Sequence, residues 1–597
     1  MAITGKTRRS GKPAATFLLT GLLTGFLAAC AAPRADLDPR LAPAPAAPVE
    51  VAILAFNDFH GNLEPPRQSV GVPDGQGATV PVPAGGAAWL ASALDALRAK
   101  HPRSITVAAG DLISASPLAS SLFLDEPTIE TLSRLGLDYA AVGNHEFDRG
   151  TGELRRMQAG GCEKLTQREP CQLERFTGAR FRYLAASTLG PSGTPLFPAS
   201  AIRTLGTGAQ MVKLGVIGLT LKATPTLVNP SGIADLTFAD EADTINAEVP
   251  RLKAQGADAV IVLIHQGGRT TGAPDPNGCA GFDGEILPIL RRLAPEVDVV
   301  VSGHTHADYI CELPTADPAR PVLLTSAGQY GKELTEITLT IDPAAHRVTA
   351  RSARNLIVQS EGFTSAKGPV ALSALVPGYA PRADIAAYVG RYVAAAKAFA
   401  TRPVGALSGP AGRGEAGSMD QGGPLGNLIA DAQLFATRSA GAQIALMNPF
   451  GIRAALVPAS DGTITFGDIY LAQPFGSALV TEALTGAEIK AVLEQGFDDV
   501  GPEQALAPSA GLTYRIDRGA PVGSRISALM LGGKPLDPAA SYRVTMNGFL
   551  AQGGDGFTVF KQGKDTVIGP TDIEVLEAWL RSAPLRSVPA EQRVTGG

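Results

Sequence analysis

Tyr139-Ala140-Ala141-Val142-Gly143-Asn144-His145-Glu146-Phe147-Asp148 is a short apolar run that passes at once into residues able to bind metals and move protons. The same grammar occurs four more times. Val51–Phe56 runs into Asn57-Asp58-Phe59-His60, and Ile105–Ala109 into Gly110-Asp111. Val260–Ile264 runs into His265-Gln266, and Val297–Ser302 into Gly303-His304-Thr305-His306. Runs of this length and β-branched content read as strands buried on both faces. Helical patterns lie between several of them, as at Gly86–Lys100 and Ala242–Gln255. Strands alternating with helices predict an α/β sandwich, and in such sheets sites form beyond the carboxyl ends of the strands. Five of the seven histidines follow these runs directly: His60, His145, His265, His304 and His306. The five segments are therefore expected to meet in one crevice.

The rest of the composition agrees with a folded, exported protein. With 45 % hydrophobic and 18 % charged residues, the 597-residue chain has the material for large cores, which excludes wholesale disorder. A formal net charge of −5 excludes a strongly basic binder of nucleic-acid polymers. Lys6, Arg8, Arg9 and Lys12 precede an uncharged run from Ala14 to Ala29 that is shorter than the ~20 residues of a membrane helix. The run ends in Leu27-Ala28-Ala29-Cys30, which resembles a bacterial lipobox. Residues 1–29 are expected to be a lipoprotein signal peptide, with Cys30 the acylated first residue of the mature chain. The alternative is a plain secretory signal. Three acyl chains would anchor the protein where one would not. Ala31, rather than Asp, after the cysteine points to an outer membrane, with the protein facing the periplasm.

Removing Cys30 leaves Cys162, Cys171, Cys279 and Cys311, an even number suited to two disulfides in an oxidising compartment. Three connectivities are possible; the expectation is the two local pairs, Cys162–Cys171 and Cys279–Cys311. Residues 30–48, rich in Ala and Pro, read as a tether. A first domain is expected over 49–360, a linker with a helix at Ala383–Ala400 over 361–400, and a second, smaller α/β domain over 401–597. In the second domain residues 404–424 read as a Gly-rich loop and Asn427–Ser439 as a helix. Strands are expected near Ile444–Met447, Ala478–Leu484 and Tyr542–Met546. The residues beyond about Arg581 read as a loose tail, and His101 and His346 as surface residues.

The spacing of the ligand-type residues has a chemical meaning. In an extended segment residues i and i+2 point the same way, so Asp58/His60 and His304/His306 are each expected to aim two ligands at one point. Imidazole with carboxylate suits Zn, Mn, Fe or Co rather than Ca. The number of His and Asp ligands exceeds what one open site needs. Two divalent cations about 3.5–4 Å apart suit phosphoryl transfer, because they stabilise the attacking and leaving oxygens together.

The blocks Asp-Phe-His-Gly from Asp58, Gly110-Asp111, Gly143-Asn-His-Glu-Phe-Asp148, His265 and Gly303-His-Thr-His306 resemble those of the calcineurin-like metallophosphoesterases. The chain as a whole resembles the bacterial 5′-nucleotidase/UDP-sugar hydrolase family. That likeness extends through Leu425-Gly-Asn-Leu-Ile-Ala-Asp431, Gly451-Ile-Arg453, Gln473-Pro-Phe-Gly476 and Gly553-Gly-Asp-Gly-Phe557. The resemblance implies a four-layer metallophosphoesterase β-sandwich flanked by helices, followed by a smaller α/β substrate-binding domain. It implies that Asp58, His60, Asp111 and His306 hold one metal, and that Asp111, Asn144, His265 and His304 hold the other. His145 would be a catalytic residue rather than a ligand, steadied by Asp148, while Glu146 would be structural. Phe475 and Phe549 would stack on a nucleobase, Asp555 would bind ribose hydroxyls, and Asn448 and Arg453 would contact base or phosphate.

The chain departs from the family in two places. Asn448-Pro449-Phe450-Gly451-Ile452-Arg453 stands where the family often has Asn-Gly-Gly-Gly-Ile-Arg. Asp420-Gln421-Gly422-Gly423-Pro424 lacks the Arg and Glu usual before Gly426-Asn427, with Arg413 as a substitute cation. The function expected is phosphate release from nucleotides by a two-metal phosphohydrolase. The alternatives are a UDP-sugar or 2′,3′-cyclic-nucleotide hydrolase, a related thiosulfohydrolase, or a catalytically silent nucleotide- or metal-binding surface lipoprotein.

Overall fold

The computed structural model describes residues 47–596, apart from 167, 229, 272–273, 366–367, 415–421 and 500–502. The signal peptide, Cys30 and nearly all of the tether lie outside the described residues.

Two six-stranded sheets stack face to face. The first runs Arg347–Ile357, Glu333–Asp342, Val49–Phe56, Ser104–Ala108, Tyr139–Ala141, Arg182–Leu184 from edge to edge. The second runs Asp308–Leu313, Val322–Ala327, Val299–Ser302, Ala259–His265, Val212–Thr220, Ser200–Leu205. In the first sheet Val49–Phe56, Ser104–Ala108, Tyr139–Ala141 and Arg182–Leu184 are parallel and the two strands at the other edge pair antiparallel; in the second the four inner strands are parallel and both outermost pairings antiparallel. Parallel strands are stable only when both faces are covered. Here Val51, Ile53 and Val107 of the first sheet meet Val216, Ile261 and Leu263 of the second. Leu90 and Leu94 of helix Ala87–Lys100, with Ile129 and Leu132 of Glu126–Arg134, cover the outer face of the first. Ile245, Val249 and Leu252 of Glu241–Ala254 cover the second. All seven residues of Ala259–His265 are buried, which is why that strand reads as an unbroken apolar run.

Helix Ala383–Ala400 joins this sandwich to the C-terminal part. Ile385 and Val389 enter the core against the first sheet, while Tyr388, Tyr392 and Ala396 enter the core of the C-terminal part. That part is built on a five-stranded sheet, in the order Ala507–Pro508, Ile444–Met447, Ser541–Asn547, Ala478–Thr485, Lys564–Thr571. Leu428 and Trp579, from helices Gly423–Thr437 and Asp572–Arg581, pack with Ala445 and Met447. Ile489 and Val492, from Gly486–Gln495, pack with Ile444 and Leu446. The alternation along Ile444–Met447 is the two-residue period of a strand with a core on each face.

Three expectations are corrected. The stretch 404–424 is not all loop: Pro403–Ala406 is a strand paired with Thr463–Thr465, and the following helix begins at Gly423. The C-terminus is not a loose tail. Val594–Gly596 adds a parallel strand to Leu512–Ile516, and buried Arg593 forks onto Asp431 at 2.7 and 2.9 Å. A single short strand and one arginine carry too little periodicity to read from sequence. His101 is buried, with Nε2 2.5 Å from Glu336 Oε1, whereas His346 is exposed and lies 2.6 Å from Asp258. Cys162 is bridged to Cys171, and Cys279 to Cys311.

The sheets approach closely at Gly218, where an added Cβ would lie 2.4 Å from Leu184 Cβ and 2.6 Å from its carbonyl oxygen. Gly218→Ala is expected to destabilise by about 1–3 kcal/mol, since two sheets must part. Gly390, in the connecting helix with open space around it, is the control. Gly390→Ala is expected to stabilise by roughly 0.5–1 kcal/mol. Denaturant unfolding of both variants measures the difference.

Candidate metal centre and active site

Because the strands ending at Phe56, Ala108, Ala141, His265 and Ser302 run parallel within their sheets, their carboxyl ends deliver the ligand-type residues to one place. Asp58, His60 and His306 form one group and Asp111, His265 and His304 a second; within each, one ligand atom per residue lies within 4.8 Å of the others. The pairs do not converge through extended i, i+2 geometry as expected. Asp58, His60, Asp111, His304 and His306 all have positive φ, between 45° and 71°. These are turns, and backbone hydrogen bonds hold them: Asp58 N–H to Gly110 O at 3.1 Å and His60 N–H to Asp111 O at 3.0 Å. Left-handed backbone at residues with a Cβ is unfavourable and persists where surroundings over-determine it, as functional sites do.

Each histidine whose far nitrogen is satisfied presents the other to the cluster. His60 Nδ1 donates to Ser114 O at 2.9 Å and His265 Nδ1 to Ala109 O at 2.8 Å, which leaves Nε2 of each facing inward. Asp111 lies between the two groups. Its Oδ1 accepts the His145 N–H at 2.8 Å, while Oδ2 lies 3.0 Å from His265 Nε2 and 3.6 Å from His60 Nε2. Asn144 Oδ1 is 3.1 Å from His265 Nε2. Asp58 accepts from the His304 N–H and from Asn57 Nδ2. The Nε2 atoms of His60 and His306 are only 3.2 Å apart. Inward-facing imidazole nitrogens and carboxylate oxygens, two of them at that separation, fit a pair of cations of borderline softness.

Burial drives the His60 and His304 imidazoles down to about 3, so both are neutral, the state that ligates a metal. Burial alone would raise Asp111, but His265 and His145 outweigh it and hold the carboxylate well below its usual range. Glu146, pushed up to about 7 by burial and by Asp111, accepts the backbone N–H groups of Asp111, Leu112 and Gly143. It braces the turn from behind.

His145 stands beside the cluster, its ring 5.1 Å from that of His60. Its Nδ1 is 2.8 Å from Asp148 Oδ2. Burial opposes a charge there, but Asp148 and Asp111 prevail and hold the imidazole above its usual value. On its other side lies Phe475 from the C-terminal part, the two rings 6.1 Å apart and 15° from parallel. Phe475 is 38 % exposed, so it is no core residue. Arg453 makes its charge felt at His60, His145, His306 and Asp555, which sets it on the rim. Arg413 donates to Ile452 O at 3.1 Å, and its charge is opposed by burial and then by Arg453. Asn448 is buried and linked to Asp555 at 2.7 Å and to Asn547 at 2.9 Å. Burial lifts Asp555 to about 6. Phe549 is half-buried, its ring against Gly554, where a Cβ would lie 2.5 Å from ring carbons.

Sequence reading passed over Tyr330. Its ring lies 6.0 Å from that of His60 and 5.9 Å from that of His306, and its N–H donates to Asp58 O at 2.7 Å. The signal was the turn Gly328-Gln329-Tyr330-Gly331 after a buried strand, a sixth case of the same grammar but without a histidine.

Residues 51–308 match the calcineurin-like phosphoesterase family, and residues 403–562 the 5′-nucleotidase C-terminal domain. The chain belongs to the calcineurin-like phosphoesterases that carry a 5′-nucleotidase C-terminal domain. It is 30 % identical over 543 residues to endonuclease YhcR of Bacillus subtilis, covering 90 % of this chain but 40 % of that one. It is 28 % identical over 546 residues to the cell wall protein Lmo0130 of Listeria monocytogenes, covering 86 % of this chain and 64 % of the relative. It therefore spans less than two thirds of either relative. The crystal structure of a 5′-nucleotidase precursor from Thermus thermophilus superposes with a TM-score of 0.70 at 28 % identity, over 92 % of this chain and 99 % of that one.

The position of Asp111 between the two groups gives a direct expectation. Asp111→Ala is expected to deplete both metals, and His60→Ala mainly one. Elemental analysis of the purified variants decides it, and two metals retained by Asp111→Ala would remove that residue as the bridge.

Proposed function

We propose that this protein is a two-metal phosphohydrolase that releases phosphate from nucleotides outside the cytoplasm. The observation that carries the reading is Asp111 Oδ2, 3.0 Å from a histidine of one group and 3.6 Å from a histidine of the other, with His145 alongside. Asp58, His60, Asp111 and His306 would hold one cation, and Asp111, Asn144, His265 and His304 the second. Zn, Mn or Co in these positions would supply Lewis-acid stabilisation of charge on the phosphoryl oxygens.

The chain's own groups do the rest. His145 holds its proton through Asp148 and is placed to give it to the leaving oxygen, as a general acid needs. Arg453 offers a cation to the phosphoryl group. Arg413, whose charge Arg453 opposes, takes the place of the arginine lacking before Gly426. Two guanidinium groups that feel each other's charge form an anion site. Phe475 and Phe549 stack on the base, Asp555 holds ribose hydroxyls, and Asn448 fixes Asp555. Pro449–Gly451 forms a 3₁₀ turn with Phe450 exposed, so the base side differs from a pocket lined by glycine backbone.

The same reading divides the chain into a catalytic domain over 49–360, a connector over 361–400 and a substrate-binding domain over 401–597. Residues 1–29 are its lipoprotein signal and Cys30 its anchor, on an outer membrane facing the periplasm. Likeness to a cell wall protein favours export. No helix of the described residues is long and apolar enough to cross a membrane. A phosphate-release panel with Mn²⁺ or Co²⁺ over AMP, UDP-glucose, 2′,3′-cyclic nucleotides and p-nitrophenyl phosphates tests the activity. Release from none of them sinks it.

Two variants separate the roles. His145→Ala is expected to keep its metals and lose roughly 10²–10⁴-fold in kcat. Phe475→Ala is expected to raise KM for AMP, because stacking acts on ground and transition states alike, and to leave bis-p-nitrophenyl phosphate hydrolysis nearly unchanged. Equal losses on both substrates would place Phe475 outside base recognition.

A further inference from the structure

The loop between Asp111 and helix Glu126–Arg134 holds four non-glycine residues in the left-handed region: Ser114 (φ 65°), Ala115 (47°), Leu124 (57°) and Asp125 (62°). Each is unfavourable for a residue with a Cβ, and such strain persists only where neighbouring contacts impose it. The contacts here centre on Asp125. It sits at the N-cap of Glu126–Arg134, yet its side chain makes no capping bond to that helix. The fully buried carboxylate is turned the other way. Oδ1 accepts from Ser120 Oγ at 2.6 Å. Oδ2 accepts from the Ser114 N–H at 3.2 Å and from Arg149 Nη1 at 2.6 Å.

Ser114 and Arg149 each lead to the active site by one further step. The Ser114 carbonyl takes the Nδ1–H of His60 at 2.9 Å, which fixes the tautomer and aims Nε2 at Asp111 and His306. The loop is pressed on that turn: a Cβ on Gly61 would lie 2.3 Å from Ser116 Oγ. Arg149 directly follows Asp148, the partner of His145. The other group is supported differently, by the Ala109 carbonyl behind His265 and by Glu146 behind Asp111.

We propose that the ion pair of buried Asp125 with half-buried Arg149 is a positioning device for one metal site: it clamps Ser114 so that its carbonyl holds His60, and ties that loop to the turn carrying His145 and Asp148. Neither residue touches substrate or metal. This rests on the two-metal reading, and partners that orient a ligating histidine typically contribute 10–100-fold to metal affinity.

The test uses the full chain, stripped with a chelator and titrated with Co²⁺, as the parent, Asp125→Asn, Arg149→Met and Arg149→Lys. Asn tolerates the left-handed backbone and keeps an acceptor oxygen, so Asp125→Asn removes the charge with little else. The parent is expected to bind two Co²⁺. In Asp125→Asn and Arg149→Met one dissociation constant rises 10–100-fold and the other stays within twofold, the weakened site being the one lost in His60→Ala. Arg149→Lys recovers most of the affinity. For AMP, kcat falls at limiting Co²⁺ and returns when the metal is raised. Two unchanged constants in both variants overturn the proposal, and so does equal weakening of both sites with a lowered melting temperature, the mark of a merely structural pair. A parent that binds fewer than two Co²⁺ overturns the two-metal reading and the proposal with it.

Discussion

The Asp111 carboxylate is out of reach of water and almost surrounded by imidazoles, and much of the catalytic face is arranged to keep it there. Its backbone is held by Glu146, which accepts three N–H groups from two turns. One of its oxygens is fixed by the His145 amide, and the other is left between His265 and His60. A buried carboxylate is costly unless positive charge or hydrogen-bond donors compensate it. The donors here come from strands of both sheets, so the sandwich must be assembled before the site exists. The close approach of the sheets at Gly218 and the apolar layer between them belong to the same constraint, because they set how near His265 comes to Asp111.

The C-terminal part meets this face with different chemistry. Phe475 lies along His145, and Arg453 and Arg413 bring positive charge towards the cluster. These side chains sit on loops at the ends of strands and helices, where backbone is free to vary. Met447, Asn448 and Asn547 bind those loops together: Asn547 Nδ2 reaches Asn448 Oδ1 at 2.9 Å and Oδ1 takes the Leu550 N–H at 2.9 Å. Asn448 is thereby a brace between the segments of Arg453, Phe549 and Asp555, with its amide committed to neighbours.

Convergence of the ligand residues was legible, but the reason inferred for it was not the one the backbone uses. Alternation along an extended chain would have served for Asp58/His60 and His304/His306. Instead all four adopt left-handed turns, the amides of Asp58, His60 and His304 held by hydrogen bonds to other segments, and nothing within four or five residues of sequence specifies such a bond. His101 failed for a related reason. Its neighbours in sequence are polar, while its partners Glu336 and Glu50 arrive from strands far along the chain.

The sequence by itself determined the five strands that carry the site, the order of chemistry at their ends and the family. A buried parallel strand is a local pattern of β-branched residues, and a site at its carboxyl end is a local change to polar ones. The Cys162–Cys171 pair, nine residues apart in sequence, is local in a similar sense. Tertiary structure alone decided that Tyr330 stands against His60 and His306, that the Ser114 carbonyl stands behind His60, that Arg413 feels the charge of Arg453, and that the last strand docks through Arg593 onto Asp431. Each of those depends on the distance between segments brought together by packing, and a single chain records its packing only through the apolar residues that drive it.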